Sequence, residues 1–354
     1  MAFFSSDQKK SSGASKSLRK IDFGVLRALL LRGKKSKMGE TEGVAGLISR
    51  PEGVGVIHLV PREGAVPLLR CCFFQALSKH QSHSWAAAEM AREFGLQKVP
   101  FVGALESNKY VILPAEAPDV PPEELSAAMR WRIKDHLDYS ITEAVVEAFE
   151  LPASRSGTES GRVYVAAAHE ALVREYVEVF HAAKISLHSI DIFELALRNI
   201  TAKLDDDAEG VGVLSLRARD GMVMVTRNKT MYLARKIDLG LERLLETLST
   251  GRLKVEAKEL ANSAIVDAIA LEIQRTLDYY EGHFMQNPVA SLHVTPLEIP
   301  IPGLADVLSD KLGMRIKELA LNSVLEFSEE FDLIAVARCL PVIGAAMGFL
   351  EGAE

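Results

Sequence analysis

The chain begins the same strand and helix pattern twice, and this repetition restricts its fold more than any other feature. Three strand-like runs open each half, and turn residues such as Gly53, Gly64 and Gly221 separate them. The runs span 44–49, 54–60 and 66–73 in the first half, and 211–216, 222–227 and 230–236 in the second. Each set is followed by a helical pattern. We therefore predict two α/β lobes, each opening β-β-β-α.

The first half contains an additional unit. After the helix that ends at Gly95, residues 98–152 hold a strand at 110–113, a helix that starts near Pro122 and a strand at 145–149. The predicted division is a tail and linker (1–42), a first lobe (43–97 and 153–207) interrupted by an inserted subdomain (98–152), and a second lobe (208–354). The C-terminal helix is expected to return to the first lobe. We interpret Asp205, Asp206 and Asp207 as a solvated linker between the halves, with a metal site as the alternative.

The net charge of −7 conceals a difference between the tail and the body. Residues 1–40 carry ten basic and three acidic residues, a net charge of +7, so the remainder carries −14. An acidic body does not attract nucleic acid, and we expect no nucleic-acid partner. Residues 18–31, from Leu18 to Leu31, place apolar side chains at helical spacing beside basic ones, which indicates contact with an anionic membrane surface. A short helix docked on the body or on a partner, or a frayed tail, is the alternative.

Cysteine usage and hydropathy favour a cytoplasmic protein. Cys71, Cys72 and Cys339 form no CxxC pair, which argues against a disulfide or zinc framework. In the sequence, no apolar run reaches the roughly 18–20 residues that a membrane span needs. The best candidate, 339–350, is interpreted as a buried helix.

Five segments resemble the MshI proteins of MSHA-type pili, which are relatives of the PilM proteins of type IV pilus assembly. They are VPPEELSAAMRWRIKDHLDY (120–139), IDIFELALRN (190–199), LEIQRTLDYYEGHFMQNPV (271–289), PIPGL (300–304) and CLPVIGAAMG (339–348). The resemblance implies an α/β, actin-like (ASKHA) two-lobed fold with duplicated lobes and an inserted small α/β subdomain. It also implies a cytoplasmic protein, peripheral to the inner membrane, that captures the N-terminal peptide of a PilN-like (MshJ-like) membrane protein. Contact with the pilus motor ATPase, direct or through that partner, is implied as well.

A peptide groove is expected between the first lobe and the inserted subdomain. We predict that Arg130, Trp131, Asp135, Asp138 and Tyr139 lie at or near it. The alternative for Trp131 is a core tryptophan whose flanking arginines face water.

The two hairpins that would hold Mg²⁺ and phosphates in an actin-like ATPase lack the acidic residues of that family. Ser49 and Arg50 stand in the first hairpin, and Ser215 and Arg217 stand in the second. A carboxylate that orients Mg²⁺ contributes several kcal/mol to catalysis, so its loss argues against hydrolysis.

The adenosine side of the expected cleft also departs from the family. Thr295 and Pro296 stand where a glycine pair would approach the base. Glu272 and Arg275 lie on the helix that borders adenosine in actin-like proteins, with a surface ion pair as the alternative interpretation. We predict a degenerate site with no catalytic residue, no metal and no cofactor, with weak binding of ATP and Mg²⁺ left open.

Two functions are alternatives to the pilus scaffold. A nucleotide-dependent actin-like ATP-binding protein would need acidic residues at both hairpins. A GspL-like cytoplasmic component of type II secretion would come from a family that carries a membrane span. His80 and His83 have metal-like spacing, but we interpret them as part of a polar, solvated loop.

Overall fold

The computed structural model describes residues 42–78, 80–152, 161–248 and 257–353, so the predicted membrane contact of residues 18–31 lies outside them. The strands are β1 (Val44–Arg50), β2 (Gly53–Arg62), β3 (Ala65–Ala76), β4 (Phe101–Leu105), β5 (Tyr110–Glu116), β6 (Ala144–Glu150), β7 (Arg162–His169), β8 (Leu187–Ile192), β9 (Val211–Leu216), β10 (Gly221–Arg227), β11 (Thr230–Ile237), β12 (Ser291–Val294), β13 (Ile316–Glu318) and β14 (Glu326–Phe327). The α-helices are α1 (His83–Glu93), α2 (Pro122–Arg132), α3 (Glu170–Ala183), α4 (Phe193–Thr201), α5 (Leu241–Thr247), α6 (Ala257–Ala261), α7 (Ala264–Phe284), α8 (Leu304–Leu312) and α9 (Leu333–Ala353).

Two sheets repeat one strand order. The first runs β14-β3-β2-β1-β4-β8 and the second runs β11-β10-β9-β12-β13. In each sheet, three antiparallel strands continue into two parallel ones. Leu47 of β1 pairs with Gly103 of β4, and Val213 of β9 pairs with His293 of β12. Apart from the two-residue β14, the sheets match strand for strand, which confirms the predicted duplication.

Helices cover both faces of the central strands, and this explains the apolar sequences of those strands. β1 is buried except at Ser49, and β9 is buried throughout. α1 and α3 pack on the outer face of the first sheet, whereas α5, α7 and α8 pack on the outer face of the second. A strand that is enclosed on both faces needs no alternation of polar and apolar residues.

The last helix of each half packs between the sheets. α4 contacts β10 and β11 of the second sheet, and α9 packs on β1 to β4 of the first. The two helices meet at glycines, because a Cβ at Gly344 would lie 2.0 Å from the carbonyl oxygen of Ala196. The Nδ2 of Asn199 donates to the carbonyl oxygen of Gly344 at 3.0 Å. The C-terminal helix thus packs on the first sheet.

α9 is longer than the apolar run from which it was predicted. Its 20-residue stretch Leu333–Gly352 has a mean hydropathy of 2.0, so by length and composition it could cross a membrane. However, 78% of the window is buried inside the protein, where Val342, Ile343 and Ala346 join the core shared by both sheets. We therefore assign α9 as a core helix.

A third sheet, ordered β5-β7-β6, forms a separate unit with α2. Its apolar side chains, including Met129, Val146 and Val165, make a small core of their own. Strand pairing differs from the predicted division at two points. β4, which falls inside the predicted subdomain 98–152, pairs with β1 and β8, whereas β7, predicted in the first lobe, belongs to the third sheet. The inserted unit is therefore defined by β5, α2, β6 and β7.

The acidic run between the halves is not a solvated linker throughout. Asp207 is buried, and its Oδ2 accepts a hydrogen bond from the backbone N–H of Lys229 at 2.7 Å. Asp206 accepts from the hydroxyl of Ser291 and lies 3.4 Å from the Nζ of Lys317. Only Asp205 faces solvent. The prediction was wrong for two of the three residues, because these carboxylates bond to the second lobe.

Candidate functional site

The cleft between the sheets is lined from equivalent positions in the two lobes. β1 ends at Arg50, and Arg217 directly follows β9. The segments after β4 and β12 contribute Glu106 and Glu298. Because β4 and β12 run parallel to β1 and β9, their carboxyl ends lie at the same edges of the sheets. The duplication therefore brings two arginines and two carboxylates to a single opening.

Arg50 is the centre of the cleft, and it is only 7% exposed. Its guanidinium pairs with Glu298 from the second lobe, with Glu106 at 3.3 Å and with Glu52 at 3.4 Å. Burial alone would lower the pKa of Arg50, but the adjacent carboxylates reverse this and raise it. Arg338 of α9 also contacts Glu298, at 3.3 Å. A fixed positive charge therefore joins the two lobes.

Arg217 makes the reciprocal contact from the second lobe. Its Nε donates to Asp220 within its own turn at 2.8 Å, and its NH1 donates to the hydroxyl of Ser107, which follows β4. The guanidinium carbon lies 5.9 Å from the ring centre of Phe193, at the start of α4. We call Arg50, Arg217 and the side chains that they contact in the cleft the cleft network.

The cleft network leaves little free space. The cavity offers about 30 Å³ to the centres of water-sized spheres. By the same measure one water needs about 10–15 Å³, so the side chains as placed leave room for about two waters.

The structure brings together most of the predicted nucleotide-cleft residues. The cavity is lined by Arg50, Ser215, Arg217, Thr295 and Pro296. Ser49, Glu272 and Arg275 are not among the described lining residues. Glu272 instead accepts from Arg275 at 2.7 Å and pairs with Arg235 of β11 at 2.9 Å. This arrangement matches the surface ion pair that was the alternative interpretation.

Glu106 and Glu298 were missed at the sequence level. Both follow a strand that runs parallel to the first strand of a hairpin, and β4 was not recognised as a strand of the first sheet. Burial raises the pKa of the Glu106 carboxyl, although neighbouring Arg50 acts to lower it. If β4 and β12 had been recognised as equivalent strands of the two sheets, the segments that follow them would have indicated Glu106 and Glu298.

The predicted groove residues lie on or after α2 of the inserted unit. Trp131 is 63% exposed, so it is not a core tryptophan. Arg130 is directed inwards, where its NH2 donates to the carbonyl oxygen of Ile141 at 2.8 Å. Asp135 and Asp138 are exposed, and the Tyr139 ring lies 4.8 Å from that of His169. Arg130 therefore holds the inserted unit together, whereas Trp131 is available to a partner.

A Ser–His–Asp contact that the sequence did not reveal lies at the start of β12. The hydroxyl of Ser291 contacts the Nε2 of His293 at 3.0 Å, and Asp206 accepts from the same hydroxyl. A catalytic triad needs the carboxylate on the opposite ring nitrogen, but Nδ1 of His293 is buried without a partner. Ser291 is fully buried, so this cluster is structural.

The structure corrects the interpretation of His83 but not that of His80, which is exposed in a turn. His83 is the first residue of α1, and its Nε2 contacts the carbonyl oxygen of Arg50 at 2.7 Å, so it does not belong to a solvated loop. Within the described ranges, no group of three or more His, Cys, Asp or Glu residues could hold a metal ion.

Comparison with known proteins identifies the fold. No protein-family model and no curated protein sequence matches the chain. Among solved structures, the PilM–PilN type IV pilus biogenesis complex matches with a TM-score of 0.66 and 19% identity, over 89% of this chain and 99% of that one. A Bacteroides thetaiotaomicron protein with an actin-like ATPase fold matches at 0.44 and 10% identity, over 84% and 96%. The fold is actin-like.

The cytoplasmic domain of EpsL, an inner-membrane component of the type II secretion system of Vibrio cholerae, also matches. Its TM-score is 0.40 at 11% identity, over 84% of this chain and 93% of that one. The duplicated sheets and the likeness to the PilM–PilN structure confirm the prediction at the level of the fold.

Proposed function

We propose that this chain is a non-catalytic, PilM-like scaffold of a type IV pilus assembly platform, of the MshI kind, that works in the cytoplasm at the inner membrane. The likeness to the PilM–PilN structure supports this proposal. The observation that carries it is the buried guanidinium of Arg50, which pairs with Glu106 and Glu298 between the lobes.

The position of Arg50 argues against nucleotide chemistry in this cleft. An actin-like ATPase uses carboxylates to orient Mg²⁺ and water beside the phosphates. Here the two carboxylates that reach the cleft already pair with Arg50, a cation that belongs to the chain. A metal ion would have to displace Arg50 and leave its charge buried without a partner, which is costly. The lobes therefore serve as a frame for protein contacts.

The partner that we propose is the cytoplasmic N-terminal peptide of a PilN- or MshJ-like membrane protein. Tryptophan is enriched at the centres of protein interfaces, and Trp131 presents a large apolar ring to solvent on α2. Its neighbour Arg132 donates to the carbonyl oxygen of Glu116 at 2.9 Å, which fixes this turn of α2 against β5. Contact with the pilus motor ATPase, direct or through the same partner, is part of the proposal.

Trp131→Ala is expected to weaken binding of that peptide roughly tenfold or more, because an exposed tryptophan at an interface centre contributes about 2 kcal/mol. Fluorescence anisotropy of a labelled synthetic peptide measures the affinity. Trp85→Ala is the matched control, since Trp85 is 48% exposed but lies on α1 of the first lobe. Equal affinity of both variants and the parent would remove Trp131 from the site, and absence of binding to the parent would contradict the proposed partner.

A further inference from the structure

The turn between β4 and β5 contacts both arginines of the cleft. It begins at Glu106, one residue after β4 ends, and β5 of the inserted unit starts at Tyr110. Glu106 pairs with Arg50 at 3.3 Å, and the hydroxyl of Ser107 accepts from Arg217. The covalent connection into the inserted unit is thus part of the cleft network.

Tyr110 ties the same turn to the helix at the base of the cleft. Its hydroxyl donates to Glu194 and accepts from the backbone N–H of Phe193 at 3.0 Å. Glu194 is 4% exposed and lies in the first turn of α4. Phe193 lines the cavity beneath Arg217. A displacement of β5 must therefore move either α4 or the residues that contact Arg217.

The inserted unit also touches the second lobe directly. On β7, the hydroxyl of Tyr164 accepts from the backbone N–H of Ala234 in β11 at 3.2 Å. Arg162, also on β7, contacts the Nε2 of His283 on α7. The inserted unit therefore bridges the lobes at two separate places, the β4–β5 turn and the β7 contact with β11 and α7.

We propose that the inserted unit and the cleft network are coupled through the β4–β5 turn, so that a protein docked on the inserted unit changes the strength of the contact between the lobes. The coupling follows from the hydrogen bonds above and needs no particular partner. Only its use by a docked protein rests on the proposed function. In this arrangement the closed cleft transmits partner binding rather than holding a nucleotide.

Hydrogen exchange of the full chain, without any partner, tests the coupling. Arg217→Gln removes the bond to Ser107 as well as those to Asp220 within its own turn. Loss of the one hydrogen bond from Arg217 that crosses the cleft changes the opening equilibrium of the lobes roughly fivefold. We expect exchange to accelerate roughly fivefold at amides of β7 in the inserted unit, which Arg217 does not touch. In the reverse direction, Tyr110→Phe should accelerate exchange in the β9–β10 hairpin.

Arg219→Gln is the control for the first variant. Arg219 lies two residues away in the same turn and pairs with Glu242 at 3.3 Å, but it is exposed and its partner belongs to the second lobe. Unchanged exchange in β7 for Arg219→Gln and faster exchange for Arg217→Gln would support the coupling. Faster exchange confined to the β9–β10 hairpin in Arg217→Gln would overturn it. Because no peptide is present, either result is independent of whether a PilN-like partner binds.

Discussion

Arg50→Met is expected to lower the free energy of unfolding by about 3 kcal/mol, the low end of the cost of breaking a buried ion pair. The methionine keeps the apolar stem but removes the ion-pair partner of Glu106 and leaves Glu298 paired with Arg338 alone. Both carboxylates retain some solvent contact, which reduces the cost. Denaturant unfolding of the parent and the variant measures the difference.

Arg92→Met provides the matched control. Arg92 pairs with Glu89 on the surface of α1, but it is 68% exposed, and exposed pairs contribute about 0–1 kcal/mol. If Arg50→Met lowered the free energy of unfolding no more than Arg92→Met does, the assignment of Arg50 as the centre of the cleft would be contradicted.

The loss in the free energy of unfolding caused by Arg50→Met should also depend on pH. Burial already raises the pKa of Glu106, and removal of Arg50 raises it further. A carboxyl whose pKa is higher in the folded state than in the unfolded state takes up a proton on folding. The variant therefore regains stability as the pH falls through the raised pKa of Glu106 towards the ordinary value of 4.5. A deficit that grows on acidification in this window would contradict this account of Glu106.

Gly344→Ala is expected to destabilise the protein by about 3 kcal/mol, because overpacking of a tight contact costs 1–3 kcal/mol or more. The added Cβ would lie 2.0 Å from the carbonyl oxygen of Ala196, and backbone cannot yield as a flexible side chain does. Separation of α9 from α4 would also break the bond from buried Asn199 to the Gly344 carbonyl. Thermal or denaturant unfolding detects the loss.

Gly352→Ala is the control in the same helix. Nothing lies within 4 Å of the position that its Cβ would take. Alanine is favoured over glycine in helices by about 1 kcal/mol, less at a helix end, so this variant should be neutral or slightly stabilised. Equal effects of the two substitutions would show that α4 and α9 do not pack as closely as described.

Much of the fold was predictable because it repeats. The strands of both hairpins and the helices after them carry apolar runs and turn residues that local pattern recognition detects. β4 was not detected because it is only five residues long and has Gly103 at its centre. That glycine is explained by the tertiary structure, since a Cβ there would lie 2.6 Å from the ring of Tyr176. The sequence around β4 contains no sign of this contact.

The candidate site was predictable only in part. The hairpins carry Arg50 and Arg217 in place of acidic residues, so the sequence indicated these two arginines, and both line the cleft. The partner of Arg50 is 248 residues away in Glu298, and no local pattern reports such a pairing. The roles of Asp206 and Asp207 were hidden for the same reason, because their hydrogen-bond partners lie elsewhere in the chain.

The proposed scaffold role depends on the cleft being closed by its own side chains, and titration of Mg-ATP into the full chain tests this closure most directly. Isothermal calorimetry should detect no saturable binding up to millimolar nucleotide. Saturable, magnesium-dependent binding with a dissociation constant in the micromolar range would contradict the account, because ATP could then enter only by displacing Arg50 from Glu106 and Glu298.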